Sequence, residues 1–376
     1  MRGNISTRLP HLSYERAHTE KAQSMKGTAA VQLSICIPTY NFGQFIGQTL
    51  DSILPNLAEG VEVIILDGGS TDNTEHVVAE RQHGNPQIIY HRQEFRGGID
   101  RDIAKVVSLA RGQYCWLISA DDIVISGAVT TLLIAIRSQC DIYLCEQILC
   151  DSEMHALTEY PIFNHIRKRE IFNLGARAER ERYFGDARTT EAFFSFLSGP
   201  IFKRDIWEKG AGIPESFYET CWALAGRFLS LVPQGLVVDY LGEKLIYKRG
   251  GVDSFREHGV VKRLRISVEG FSHVAETIFG KGSPEVRHIQ RVIRNEWTLR
   301  TILSIKLQTA ISPQQESLTS LNEIVAKHYL NSGIGNTCKY LLIRLVPISL
   351  LKLLHVLSQV LRRSRFFQRA SSLAQP

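Results

Sequence analysis

Gly112-Gln113-Tyr114-Cys115-Trp116-Leu117-Ile118-Ser119-Ala120-Asp121-Asp122 is the stretch whose reading decides the fold. The run Tyr114–Ile118 is short, apolar and aromatic, with a glycine before it. That predicts a buried strand in a sheet covered on both faces. The strand runs straight into two adjacent acids. Two carboxylates at a strand end repel each other unless positive charge is near, and hard oxygen ligands suit Mg²⁺ or Mn²⁺. An Asp ahead of a helix is also an ordinary N-cap, and residues 127–138 read as helical. On these residues alone both readings stay open.

Outward from this strand, elements of two periods alternate. Val31–Ile37 reads as a strand stopped by Pro38, ahead of Thr39, Tyr40 and Asn41. Phe42, Phe45, Ile46, Leu50, Ile53, Leu54 and Leu57 then share one helical face. Val61–Leu66 is a second buried strand, running into Asp67-Gly68-Gly69-Ser70-Thr71-Asp72. A helix is expected from about Asn73, with Asp72 and Glu75 at capping-box spacing. Ile88–Tyr90 is a short third strand, and Asp100–Ala110 a helix after Gly97-Gly98. The first half is thus an α/β unit with a mainly parallel sheet. Such sheets bind ligands beyond the carboxyl ends of their strands, where Thr39–Asn41, Asp67–Asp72 and Asp121-Asp122 all fall. A dinucleotide fold would carry GxGxxG after its first strand; Pro-Thr-Tyr-Asn-Phe-Gly stands there instead, and no P-loop is present.

Composition sets outer bounds. The 376 residues are 44% hydrophobic and 22% charged, the balance of a globular chain. The formal charge of +6 suits a phosphate-bearing partner or an anionic membrane surface. Seven cysteines and a polar first thirty residues without a leader's apolar core predict a reducing cytoplasm. Cys140, Cys145 and Cys150 have no zinc-type partners and read as apolar filling of a strand region. No run of about 20 uninterrupted apolar residues predicts a membrane span.

Pro38-Thr39-Tyr40-Asn41, the DGGSTDNT run from Asp67 and the Ala110-x-Gly112-x-Tyr114 … Asp121-Asp122 pattern resemble family 2 glycosyltransferases of the GT-A fold, over about Leu33–Val124. GGIDRD from Gly97, FLSGPIFKRDIW from Phe196 and FYETCWALAGRFL from Phe217 resemble the abequosyltransferase-type enzymes of bacterial O-antigen assembly. The resemblance implies a nucleotide-diphospho-sugar donor. It implies that Pro38, Thr39, Tyr40 and Asn41 line the donor site, that Asp67 accepts a pyrimidine edge, and that Gly68 and Gly69 let backbone approach the nucleotide. Asp100 and Asp102 fall in the segment lining the sugar side. The family's Asp-x-Asp is Ser119-Ala120-Asp121 here, followed by Asp122. Asp121 is therefore the implied ligand of a divalent cation and a catalytic residue, with Ser119, Ala120 and Asp122 beside the diphosphate. The implied catalytic base is Glu219, in Glu219-Thr220 where relatives carry Glu-Asp; Asp186 and Glu191 are the other carboxylates considered.

Five segments are expected: an arm (1–30), the donor half (31–125), the acceptor half (126–255), a helical extension (256–335) and an amphipathic, basic tail (336–376). In the tail, Pro347 kinks an apolar run that Arg362, Arg363, Arg365 and Arg369 follow. That pattern predicts either in-plane contact with the inner face of the cell membrane or a terminal helix docked on the core. With no base-stacking platform beside these arginines, no nucleic-acid partner is expected. The function implied is inverting transfer of a sugar to a hydroxyl of a glycan, lipid-linked, in surface polysaccharide synthesis; the alternative is a GT-A-like binder of nucleotide or glycan without catalysis.

Overall fold

A computed structural model describes residues 30–252, 259–311, 317–330 and 332–357. Within them lies a ten-stranded sheet. Its strands are β1 (Leu33–Thr39), β2 (Val61–Asp67), β3 (Ile88–Arg92), β4 (Tyr114–Leu117), β5 (Ile123–Val124), β6 (Ile142–Cys150), β7 (Ala156–Tyr160), β8 (Glu170–Asn173), β9 (Pro200–Lys203) and β10 (Val237–Lys248). The order along the sheet is β3-β2-β1-β4-β9-β6-β10-β5. β3, β2, β1 and β4 are mutually parallel. β9 runs against both β4 and β6, so β6 and β10 return to the common direction. Six strands thus share one direction and β5, β7, β8 and β9 run against it, a mixed sheet with a parallel first half.

The strands are apolar on both faces because helices cover both. Leu33, Ile35 and Ile37 point into one core with Val63, Ile65 and Trp116. Cys36 points into the other with Ile64, Leu66, Cys115 and Leu117. This is the two-residue alternation of a strand buried on both sides. The helices of the first half are α1 (Gly43–Ile53), α2 (Thr74–Gln82), α3 (Ile99–Ser108) and α4 (Ala128–Ala135); α5 (Arg177–Asp186), α6 (Arg204–Lys209) and α7 (Ala223–Leu231) serve the second. The rest is helical: α8 (Val260–Arg265), a π turn, α9 (Phe271–Phe279), α10 (Pro284–Glu296), α11 (Leu299–Ile311), α12 (Leu318–Tyr329), α13 (Ile334–Leu345) and α14 (Ile348–Leu357). Val261, Leu264, Phe271, Val274, Ile289 and Ile293 join the same core as Phe202 and Phe228, so this extension is packed against the sheet.

Three local expectations change. Pro38 does not end β1; it pairs with Leu66 and the strand continues to Thr39. Cys36 O faces β4, accepting Ile118 N–H, and Thr39 O faces β2, accepting Gly68 N–H. By alternation Pro38 faces the β4 side, beyond the last paired residue, so its missing N–H costs no ladder bond. Asp121 and Asp122 do not cap α4, because β5 intervenes and Gly127 is the N-cap. Asp72 does more than cap α2: its carboxylate accepts Thr74 N–H at 3.0 Å and Gly43 N–H at 3.0 Å, joining the starts of α1 and α2.

Gly112 lets β4 begin against β1. A methyl group there would lie 2.7 Å from Ser34 N and 2.8 Å from Tyr114 O. Neither backbone atom can yield cheaply. Gly112→Ala is expected to lower unfolding free energy by about 1–3 kcal/mol in urea titration; an unchanged midpoint would contradict this packing.

Candidate active site

The parallel register brings the polar strand ends to one edge: Thr39 lies opposite Asp67, and β4 stops opposite Cys36, four residues before Asp121. Asp67 is fully buried. Its carboxylate accepts Ser70 N–H at 2.7 Å and the Tyr90 hydroxyl at 2.6 Å, which shapes the turn after β2. Asn41 holds a left-handed backbone (φ 56°), and its side-chain oxygen accepts Thr71 N–H at 2.8 Å. Its own N–H donates to Ser70 Oγ. The loops after β1 and β2 therefore brace each other. Gly69 is left-handed (φ 84°), and a methyl on Gly68 would sit 3.3 Å from Asp102 Oδ2 and 3.6 Å from Thr39 O. Thr39, Gly68 and Asp102 thus meet. Arg96 closes this wall, its guanidinium 4.2 Å from the centre of the Tyr40 ring. Asp102 is buried and accepts Gln93 Nε2 at 2.7 Å. Thr39 Oγ1 is buried with no hydrogen-bond partner.

Asp100, two residues before Asp102 on α3, does something the sequence did not suggest. Its carboxylate reaches the other half, accepting Cys221 N–H at 3.0 Å and Ala223 N–H at 3.1 Å. It caps α7 from another element and holds Cys221 in a left-handed conformation (φ 65°). Burial pushes the Asp100 carboxyl up to about 7, against the pull of those two N–H donors. The segment it fixes is the one carrying Glu219, which ends a 3₁₀ turn, Glu215–Glu219. The Glu219 side chain lies outside the described residues.

After β4, Ser119 donates to Asp121 Oδ1 at 2.5 Å, and Asp121 Oδ2 has no protein partner among the described residues. The Ala120 carbonyl accepts Thr49 Oγ1, tying the loop to α1. Asp122 points inward: Oδ2 accepts the Ser198 hydroxyl at 2.8 Å and Oδ1 accepts Arg249 N–H at 3.1 Å. Burial raises both carboxyls. Asp122 reaches about 7, with the charge of Asp121 adding to burial; at Asp121 the Ser119 hydroxyl, Arg249 and Lys248 oppose the rise. Arg249 is not a loose cation. It is buried and donates to the carbonyls of Asp121 and Ser152 and to Gln48 Oε1. Among the described residues no group of three or more His, Cys, Asp or Glu could hold a metal alone. One free carboxylate oxygen does fit a Mg²⁺-type ion that keeps water and takes its other ligands from phosphates.

Beside this lies a cluster of which only Glu191 stood out in the sequence. Lys248 Nζ donates to Glu191 Oε1 at 3.1 Å and lies 4.2 Å from the centre of the Phe196 ring. Glu191 also accepts Gln147 Nε2. Glu296, at the end of α10, accepts Thr190 N–H at 2.7 Å. Burial, then the charge of Glu191, pushes the Glu296 carboxyl up to about 7. Glu296 belongs to a helical stretch whose sequence carries no chemical motif; only long-range packing brings it here. Asp186 sits apart, accepting His165 and Ile166 N–H groups in a surface turn.

Residues 34–195 match the family model described as Glycosyl transferase family 2. This stretch is a family 2 glycosyltransferase domain. Abequosyltransferase RfbV of Salmonella typhimurium is 29% identical over 312 residues, covering 81% of this chain and 92% of that protein. Glycosyltransferase GlyG of Streptococcus pneumoniae is 24% identical over 230 residues, covering 51% and 75%. The crystal structure of S. aureus TarS 1-349 in complex with UDP has a TM-score of 0.54 at 12% identity, covering 79% of this chain and 78% of that one. The fold is accordingly GT-A-like, with the helical region following the mixed sheet.

Two outcomes follow from the buried carboxylates. Asp100→Ala removes the acceptor of the Cys221 and Ala223 N–H groups, and should cost about 0.5–2 kcal/mol, with Asp100→Asn costing less; equal melting temperatures for all three proteins would contradict the cap. Glu296 titrates near 7 when folded and near 4.5 when unfolded, so the folded chain holds the extra proton in that window. Its contribution to stability therefore falls as pH rises through it. Glu296→Gln should gain on the parent as pH climbs from 4.5 to 8; a pH-independent gap in melting temperature would contradict the shift.

Proposed function

We propose that this chain is an inverting glycosyltransferase moving a sugar from a nucleotide-sugar donor to a hydroxyl of a lipid-linked glycan acceptor in bacterial O-antigen synthesis. The observation that carries the donor site is the buried, unpartnered hydroxyl of Thr39 at the end of β1, inside a family 2 domain. Buried hydroxyls are almost always bonded, and an arriving nucleotide offers the missing partner. Tyr40 with Arg96, Asn41, Pro38 and the Gly68-Gly69 backbone form the wall around it. Asp67 shapes the base pocket through Ser70 and Tyr90, with lone pairs left for the base edge.

A divalent cation, Mg²⁺ or Mn²⁺, would supply charge neutralisation at the leaving diphosphate. Asp121 Oδ2 is the oxygen free to hold it, while Ser119 orients that carboxylate and Asp122 fixes the loop. The acceptor oxygen forms its bond to the anomeric carbon as the bond to the diphosphate breaks, the electron pair leaving with the diphosphate. A single displacement of this kind inverts the centre. Glu219 receives the hydroxyl proton, from a segment that Asp100 holds in place. A lipid-linked acceptor puts the enzyme at the inner face of the cell membrane, as a peripheral protein in contact through its C-terminal segment. A non-catalytic binder of this shape gains no support from the relatives.

Nucleotide-sugars are to be screened first for thermal stabilisation, beginning with an abequosyl donor, and then for transfer with and without Mn²⁺. Asp121→Ala is expected to cut turnover by at least about 10²-fold while the melting temperature of the apo protein holds. Unchanged turnover would refute the role of Asp121.

A further inference from the structure

The last two described helices carry a surface that the catalytic site does not use. α13 and α14 meet at Val346-Pro347 with their axes bent by 92°, and no single described helix is long and apolar enough to cross a membrane. On α14, Leu350, Leu353, Leu354 and Leu357 repeat at i, i+3, i+4 and i+7. In a soluble helix that stripe faces the core. Here it faces outward, as do Ile334, Leu341, Leu342 and Leu345 of α13; all eight are between 43% and 86% exposed. Ile343 and Leu351 are the large apolar residues of the pair that lie buried.

The bend is held, not loose. Pro347 lacks the N–H that would continue α13 by bonding Ile343 O. Lys306, buried on α11, takes that place: its Nζ donates to Ile343 O at 2.6 Å, to Val346 O at 2.8 Å and to Arg344 O at 3.3 Å. The ammonium also sits at the negative end of the α13 dipole. One lysine thus caps α13 and sets the angle at which α14 leaves.

Charge selects what covers the leucines. From Ile334 to Pro376 the sequence has Lys339, Arg344, Lys352, Arg362, Arg363, Arg365 and Arg369 and no acid, more positive charge than the whole chain's net +6. A second copy would set like charge against like. An anionic lipid surface matches both the apolar stripe and the cations. We propose that α13 and α14 form an elbow lying in the plane of a bilayer containing anionic lipid, with Lys306 as its positioning residue. This rests on, and deepens, the reading of a membrane-borne acceptor.

The test is flotation of the full chain with vesicles of zwitterionic lipid, with or without about a third phosphatidylglycerol. The wild type should float with the anionic vesicles, and Leu350→Gln/Leu354→Gln should weaken this by about 10-fold or more with the melting temperature kept. Lys306→Met should weaken it as well. Binding that salt abolishes but the leucine variant leaves intact would overturn the elbow. So would absence of flotation together with a dimer, in sedimentation, that the leucine variant breaks. Undiminished binding by a folded Lys306→Met would overturn the role of Lys306. Transfer to a soluble acceptor should be the same in the wild type and the leucine variant. If the wild type floats but transfers no sugar, the elbow stands and the glycosyltransferase reading fails.

Discussion

The Asp122 carboxylate holds the Ser198 hydroxyl on one oxygen and the Arg249 N–H on the other. It thereby joins the end of β4 to the approach to β9 and the exit of β10. Burying a carboxylate is costly unless it is bonded, and both of its oxygens are bonded. The consequence lies one residue earlier. With Asp122 turned inward, Arg249 can grip the Asp121 carbonyl, and among the described residues Asp121 keeps one carboxylate oxygen without a side-chain partner. The two adjacent acids thus differ: Asp122 is bonded on both oxygens by other elements, while Asp121 is bonded by Ser119 on one.

The same division separates the two acids on α3. Asp102 lies beside Gly68 and Thr39. Asp100 turns away from them and caps α7, so the first half of the sheet and the segment bearing Glu219 are built on a common helix. The helical extension takes part as well: Glu296 fixes Thr190 next to the Glu191–Lys248 pair. A site assembled from strand ends, a cross-domain cap and an appended helix depends on long-range packing for its geometry.

That dependence explains what the sequence made legible. The parallel sheet and the edge carrying Thr39, Asp67 and Asp121 could be read because apolar runs ending in polar clusters are local signals. The N-cap reading of Asp121-Asp122 failed on a two-residue strand too short to leave a pattern. Pro38 was misread as a stop because its ladder side depends on where β4 ends. Arg249, followed by Gly250-Gly251, is nonetheless buried, since its partners come from residues 48, 121 and 152. Lys306 and Glu296 had no motif at all; a lysine in an amphipathic helix reads as a solvated face until its three carbonyl partners, about forty residues on, are placed.

If one edge of the sheet seats an activated sugar, Asp121 should face its diphosphate. Anomalous scattering from crystals grown with Mn²⁺ and a nucleoside diphosphate tests this most directly. A manganese peak is expected about 2 Å from an Asp121 carboxylate oxygen, with the nucleotide against Thr39, Tyr40 and Gly68. A nucleotide bound away from that edge, or manganese on other residues with Asp121 untouched, would contradict it.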